Sequence, residues 1–184
     1  MDRPFLIGER IYLRPIDAVD LENSQYLNWL NDERVIGNLE SLYFPTTKAQ
    51  LEEYVMSASE VPAVVFLAII EKVSDRWIGN IKLGSIDWIK RKATYGRMIG
   101  DFDSWGKGYG TEAARLIIRY GIERLNLHKI TAGVIDGNIG SIKSNQKAGM
   151  TIEATLKKEV FRKGVWTNVI LMSVLAEEYY QNKD

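Results

Sequence analysis

The sequence predicts a mixed α/β fold, one sheet flanked by helices, and three observations carry that reading. First, AVVFLAIIE (63–71), WIGNIKLGSID (77–87), ATYGRMIGD (93–101) and KITAGVI (129–135) have the length and the β-branched, aromatic composition of strands. Second, residues 111–125 lie between the last two of these and carry a helical period, so the unit is strand–helix–strand. Such a crossover joins parallel neighbours. Third, the tail TIEATLKKEVFRKGVWTNVILMSVLAE holds two strand-like runs about Lys163-Gly164, a hairpin signal.

The elements follow in order. RIYLRPI (10–16) alternates as a short strand ended near Pro15. Residues 17–31 and 32–38 read as two short helices opened by Asp17 and Asp32, both suited to an N-cap. TTKAQLEEYVMSA (46–58) is a third helix, with Thr47 and Gln50 in capping-box register. The run 63–71 is a continuous β-branched and aromatic stretch up to Ile70, as in a strand buried on both faces. Strands 77–87 and 93–101 are joined by the basic turn WIKRK. In helix 111–125, Ala113, Leu116, Ile117 and Tyr120 form the buried face, and Glu112, Arg115, Arg119 and Glu123 form the solvated one. NIGSIKSNQKAG (138–149) is a helix closed by Gly149 at C′. All four prolines, Pro4, Pro15, Pro45 and Pro62, punctuate the first third of the chain.

Composition narrows the function. The 184 residues suit a single domain spanning 1–184. Lys plus Arg, at 24, equals Asp plus Glu, at 24, and that balance argues against nucleic acid as the main partner. Without cysteine there is no disulfide framework, thiolate nucleophile or Cys-ligated metal. The expectation is no metal at all. The start MDRPFLIGER lacks an apolar leader, and no run approaches a membrane span, so a cytoplasmic protein is expected.

The stretch DFDSWGKGYGTEAARL (101–116) holds Gly106, Gly108 and Gly110 directly before a helix. The first turn of a helix has unpaired N–H donors and partial positive charge, and glycines let an anion approach the backbone. Lys107 adds a full charge. A tight turn is the alternative. No stretch supplies the phosphate loop G-x-x-x-x-G-K-[ST]. The spacing G-x-G-x-G also departs from the dinucleotide fingerprint G-x-G-x-x-G.

WGKGYGTEA (105–113) instead resembles the acetyl-CoA loop of the GCN5-related N-acetyltransferases (GNAT), Q/R-x-x-G-x-G/A, with Trp105 at the Q/R position. IYLRPI, WLNDERV (29–35), YGRMIGD (95–101), LHKITAGV (127–134) and NIGSIKSNQKAGM (138–150) fall in that family's order. The resemblance implies a mostly antiparallel mixed sheet of about seven strands with one splayed pair. It implies acetyl-CoA as cosubstrate and direct attack by a primary amine in a ternary complex. The cofactor contacts it implies are Met98, Ile99, Gly106, Lys107, Gly108, Tyr109, Gly110, Thr111, Asn138, Ser141 and Asn145. The backbone near Ile99 would face the acetyl carbonyl, with Gly96 and Gly100 admitting the ligand.

Many members of the family carry N-x-x-A-x-x-x-Y on the later helix, the tyrosine protonating the departing CoA. Here Asn138 and Ser141 match the opening, but Asn145 replaces the tyrosine. Asparagine is no acid, which leaves Ser141 as the polar substitute, or a thiolate that leaves without an enzyme acid. Glu33, Glu71, Asp87, Asp101 and Glu159 are candidate bases acting through water, Asp87 foremost. His128, before strand 129–135, reads as structural.

Tyr26, Trp29, Tyr43 and Phe44 either line an acceptor cleft or form the core of the small helices. WLNDERV resembles the branch that acetylates ribosomal-protein N-termini (the RimJ/RimL type), which favours a protein N-terminus or a small amine. Relatives acting on nucleotide-linked amino sugars, polyamines or aminoglycosides keep those acceptors open. An inactive CoA-binding sensor is the reading from another class, and a monomer or homodimer is expected.

Overall fold

The computed structural model describes residues 4–37, 39, 44–60 and 63–182. Asn38, Tyr43 and Pro62 lie outside them. Among the described residues eight strands form one sheet: β1 (Leu6–Ile7), β2 (Ile11–Pro15), β3 (Val65–Glu71), β4 (Arg76–Asp87), β5 (Lys92–Ile99), β6 (Lys129–Ile135), β7 (Thr151–Arg162) and β8 (Val165–Leu175). Their spatial order is β1-β2-β3-β4-β5-β6-β8-β7. Every neighbouring pair is antiparallel except β5 and β6. That parallel pair is the one the crossover demands. It spans only Lys92↔Lys129, Ala93↔Ile130 and Thr94↔Thr131, after which the two strands part. The expected splay is therefore present, and β1 raises the strand count to eight.

Helices cover both faces. α1 (Ala18–Glu22), α2 (Gln25–Leu30), α3 (Glu33–Ile36) and α4 (Lys48–Glu60) precede β3. Residues 17–31 do not form one helix: Asn23 Oδ1 accepts the N–H of Gln25 at 3.0 Å and breaks the run. Thr47 and Gln50 form the expected box, with Thr47 N–H to Gln50 Oε1 at 2.9 Å and Gln50 N–H to Thr47 Oγ1 at 3.3 Å. On this face Leu21, Tyr26, Trp29, Leu51 and Val55 pack on Ala68, Ile70, Trp77 and Met98.

The other face carries α5 (Tyr109–Arg119), extended by a π-helical turn over Tyr120–Arg124, and α6 (Ile139–Lys147). Ala113, Leu116, Ile117 and Ile118 bury against Ile11, Leu13, Ile69, Ile81 and Ile130. Tyr120 is only partly buried at its edge. Glu112 corrects the expected solvated stripe. Its carboxylate turns inward to the N–H groups of Arg10 and Ile11, at 2.8 and 3.2 Å. α7 (Ala176–Gln181) ends the chain's described part. The hairpin turns where expected, with φ of 46° at Lys163 and 81° at Gly164. No helix among the described residues is long and apolar enough to cross a membrane.

Candidate active site

α5 and α6 both begin at the end of the sheet where β5 and β6 diverge, and the site is built there. Gly106 and Gly108 adopt φ of 73° and 85°, the left-handed region that a side chain resists. Gly108 caps α5, whose first bond runs from Glu112 N–H to Gly108 O at 3.1 Å. The N–H groups of Gly106, Lys107, Gly108, Tyr109, Gly110 and Thr111 donate to no acceptor among the described residues. That leaves a row of donors at the positive end of a helix, the arrangement that holds a phosphate. Arg10, just before β2, braces the loop, its Nη1 donating to Lys107 O at 2.8 Å.

Inside the splay, backbone parity decides what faces the gap. Gly100 N–H donates to Ile78 O at 3.0 Å, so by alternation Met98 and Gly96 exchange hydrogen bonds with β4. Arg97 and Ile99 then turn their N–H groups toward β6, beyond its last residue paired with β5. Ile99 O accepts Trp105 Nε1 at 2.9 Å, which pins the strand end to the loop. Met98 does not join the gap. Its side chain packs with Trp29 and Trp77 on the opposite face, and its backbone pairs with Asn80. Gly100 is small for a different reason than a ligand, since a Cβ there would enter the indole of Trp29.

α6 closes the other wall. Asn138 caps it, Oδ1 accepting Ser141 N–H at 3.1 Å. Ser141 and Asn145 share a face one turn apart. Asn145 is 2% exposed, and its Oδ1 accepts both the Tyr95 hydroxyl and, at 3.4 Å, Arg97 Nη2. Burial pushes the Tyr95 phenol up, so it stays a neutral donor. Thr111 Oγ1 meets Ser144 Oγ at 2.8 Å and ties α6 to the glycine loop.

Beside the loop, the Glu71 carboxylate accepts the hydroxyls of Ser74 and Tyr109, which hold its pKa below the usual carboxylate range. Arg76 Nη2 bridges Glu71 at 3.5 Å and Asp101 at 3.3 Å.

Asp87 is a correction. It pairs with Lys92 at the opposite end of β5. Seven residues at ~3.3 Å each place it roughly 23 Å along the strand from Ile99. Its Oδ1 accepts the N–H groups of Lys90 and Ile89, at 2.8 and 3.0 Å, and with Lys90 as the main cause its pKa is lowered. It shapes the turn. His128 also lies at that end, its N–H bonded to Arg91 O at 2.6 Å. Of the four aromatics, Tyr26 and Trp29 are core, Phe44 is exposed and Tyr43 lies outside the described residues.

Arg97, Arg10, Tyr95 and Ser144 are the site neighbours that sequence reasoning missed. Arg97 carried a signal: in YGRMIG it shares a face with Tyr95 and Ile99, where an apolar residue is expected.

The model of the acetyltransferase (GNAT) domain matches residues 10–151. The chain is 32% identical over 178 residues to the probable N-acetyltransferase YjcK of Bacillus subtilis, covering 92% of this chain and 96% of that one. It is 33% identical to the spermidine N(1)-acetyltransferase of Escherichia coli, over 55% of this chain and 54% of that one. Its fold superposes with a TM-score of 0.84 on the spermidine N-acetyltransferase of Vibrio cholerae, solved with CoA and spermine. That match has 23% identity and covers 93% of this chain and 98% of the other. The chain belongs to the GNAT acetyltransferase family and is an acyltransferase.

Proposed function

We propose that residues 1–184 act as one unit that moves an acetyl group from acetyl-CoA to a primary amine, in the cytoplasm. The observation that carries this is the row of unpaired N–H donors from Gly106 to Thr111, beside a gap into which Ile99 turns its amide. The donors take the CoA diphosphate, and Lys107 adds charge. The Ile99 N–H faces the thioester carbonyl. A donor aimed at a developing oxyanion is worth about 2.7–4 kcal/mol in the transition state. Asn138 and Ser141 line the arm of the cofactor, and Ser141 is the hydroxyl available to the departing sulfur. Asn145 supports this wall from within.

The acceptor reading that rests on WLNDERV is a protein N-terminus or a small amine. A polyamine is the second reading, favoured by the likeness to spermidine acetyltransferases in sequence and fold. Thermal unfolding with saturating acetyl-CoA, NAD and ATP tests the donor. Ligand at 100 times its Kd adds about 2.7 kcal/mol, and each kcal/mol moves the midpoint of a domain this size by roughly 2–4 °C. A rise with acetyl-CoA alone, lost in Gly108→Val, is expected; an unmoved midpoint overturns the proposal. Thiol release with spermidine and with a short peptide bearing a free N-terminus then separates the acceptors.

A further inference from the structure

Arg97 is a partly buried cation whose hydrogen bonds run to neutral acceptors. Nη1 donates to Gly110 O at 2.7 Å and Nη2 to Asn145 Oδ1 at 3.4 Å. Among the described residues the elements around it offer it no carboxylate, the one acid of the paired strand β4, Asp87, lying at the far end on the turn N–H groups of Ile89 and Lys90. Neither β5 nor β6 nor α6 contains Asp or Glu, and the single acid of α5, Glu112, is spent on Arg10 and Ile11. Asp136, just past β6, accepts from Asn168. The nearest elements add positive charge instead, with Lys107, Arg115, Lys143 and the start of α5. A guanidinium withdrawn from water and left without a counter-charge is unfavourable. Its natural complement is an anion that arrives with the ligand.

Two parts of acetyl-CoA are anionic during the reaction: the diphosphate throughout, and the sulfur as it leaves. Position separates them. Arg97 Nε would stand 3.1 Å from a Cβ at Gly110, so the guanidinium lies on the strand side of the first turn of α5. The free N–H groups of a first turn run along the helix axis toward its N-terminus, whereas Arg97 sits beside the turn and bonds a carbonyl of it, Gly110 O. Arg97 and Ile99 are two residues apart on one strand and share both a face and an N–H direction, so they serve the same end of the gap.

We infer that Arg97 is a catalytic residue that stabilises the CoA thiolate as it departs. This rests on the proposed acetyl-CoA reading. The amine nitrogen forms a bond to the carbonyl carbon, the C–S bond breaks, and the sulfur keeps the electron pair. The proton lost from nitrogen passes to water. The thiolate stays paired with Arg97, the Ser141 hydroxyl hydrogen-bonding beside it, until water protonates it, so no acid is needed at position 145.

The chain has no cysteine, so the thiol of bound CoA is the only one in the complex. Its ionisation is read from thiolate ultraviolet absorbance, each titration taken as the difference from the same variant without CoA so that tyrosine ionisation cancels. A neighbouring cation lowers a cysteine thiol from about 8.5 into the range of roughly 3.5–7.5, and the CoA thiol moves in the same direction. The titration is run on wild type, Arg97→Gln and Arg97→Lys, each saturated with CoA, with Kd measured alongside. The expected result is a bound thiol at least tenfold more acidic in wild type than in Arg97→Gln. Arg97→Lys retains part of that acidity, and Kd changes less than threefold. Equal acidity in all three overturns the inference. So does a tenfold loss of affinity with acidity unchanged, which would assign Arg97 to the phosphates. Should Arg97→Gln not fold, Arg97→Lys against wild type carries the same comparison. Failure of wild type to bind CoA would strike the proposed function itself, a separate result.

Discussion

Glu112 on α5 holds the start of β2 through Arg10: its Oε1 accepts the Arg10 N–H at 2.8 Å and its Oε2 meets Arg10 Nε at 3.2 Å. Gly8 leaves the room for it, because a Cβ at that position would strike Glu112 Oε1. One side chain thus satisfies two backbone donors and orients the arginine that braces the glycine loop. Glu112→Ala leaves those donors unpaired and should lower stability by about 1–3 kcal/mol. Thermal or urea unfolding reads it, and an unchanged midpoint would show that water replaces the carboxylate at no cost.

Gly96 on β5 and Gly100, just past its end, make a matched pair. A Cβ on Gly100 enters the Trp29 ring, whereas a Cβ on Gly96 meets nothing within 4 Å. Gly100→Ala should therefore cost about 1–3 kcal/mol through overpacking, and Gly96→Ala should be tolerated. Equal melting points for the two variants would refute the packing account of Gly100.

The bond between Tyr95 and Asn145 is buried on both sides, at 4% and 2% exposure, so neither group has water to fall back on. Asn145→Ala strands the phenol and should destabilise by about 1–3 kcal/mol. Adding Tyr95→Phe removes the stranded donor and should recover part of the loss. A double-mutant cycle measures this coupling, and strictly additive effects would mean the bond contributes little.

Stability should fall in acid through Glu71. Its folded pKa lies below the usual glutamate value because Ser74 and then Tyr109 donate to the charged form. A depressed carboxylate contributes fully above its unfolded pKa of about 4.3, and the contribution disappears as pH falls through the lower folded value. Unfolding midpoints measured from neutral pH into acid should drop less steeply in Glu71→Gln than in wild type. Parallel profiles would mean Glu71 is not the group responsible.

Much of this molecule is legible in the sequence because the signals are local. β6 has its predicted bounds, Lys163-Gly164 turns the hairpin, and the glycine loop caps its helix. What escaped is either too short to show a period or made of contacts distant in sequence. β1 has two residues, and the AEEYYQ of α7 has no apolar stripe. Glu112 sits in register with a solvated stripe, and only its meeting with β2, 101 and 102 positions away, turns it inward. Asp87 was misplaced because a strand end looks alike at either edge of a sheet, and only the direction of β4 tells which edge it occupies. Arg97 needed the opposite inference, from a charge where the pattern calls for an apolar residue to a task for that charge.

The brief contact between β5 and β6 makes the sheet two plates on one seam. Five strands lie to one side and three to the other, and the rungs from Lys92 to Thr94 are the backbone stitches between them. Thr94 Oγ1 against Thr131 Oγ1, at 2.9 Å, locks the last stitch. Past it no backbone rung joins β5 to β6, and amide exchange at Arg97 and Ile99 should be faster than in the closed ladders on either side. A molecule lodged in that opening acts as a rivet, and its arrival should slow exchange on both plates together.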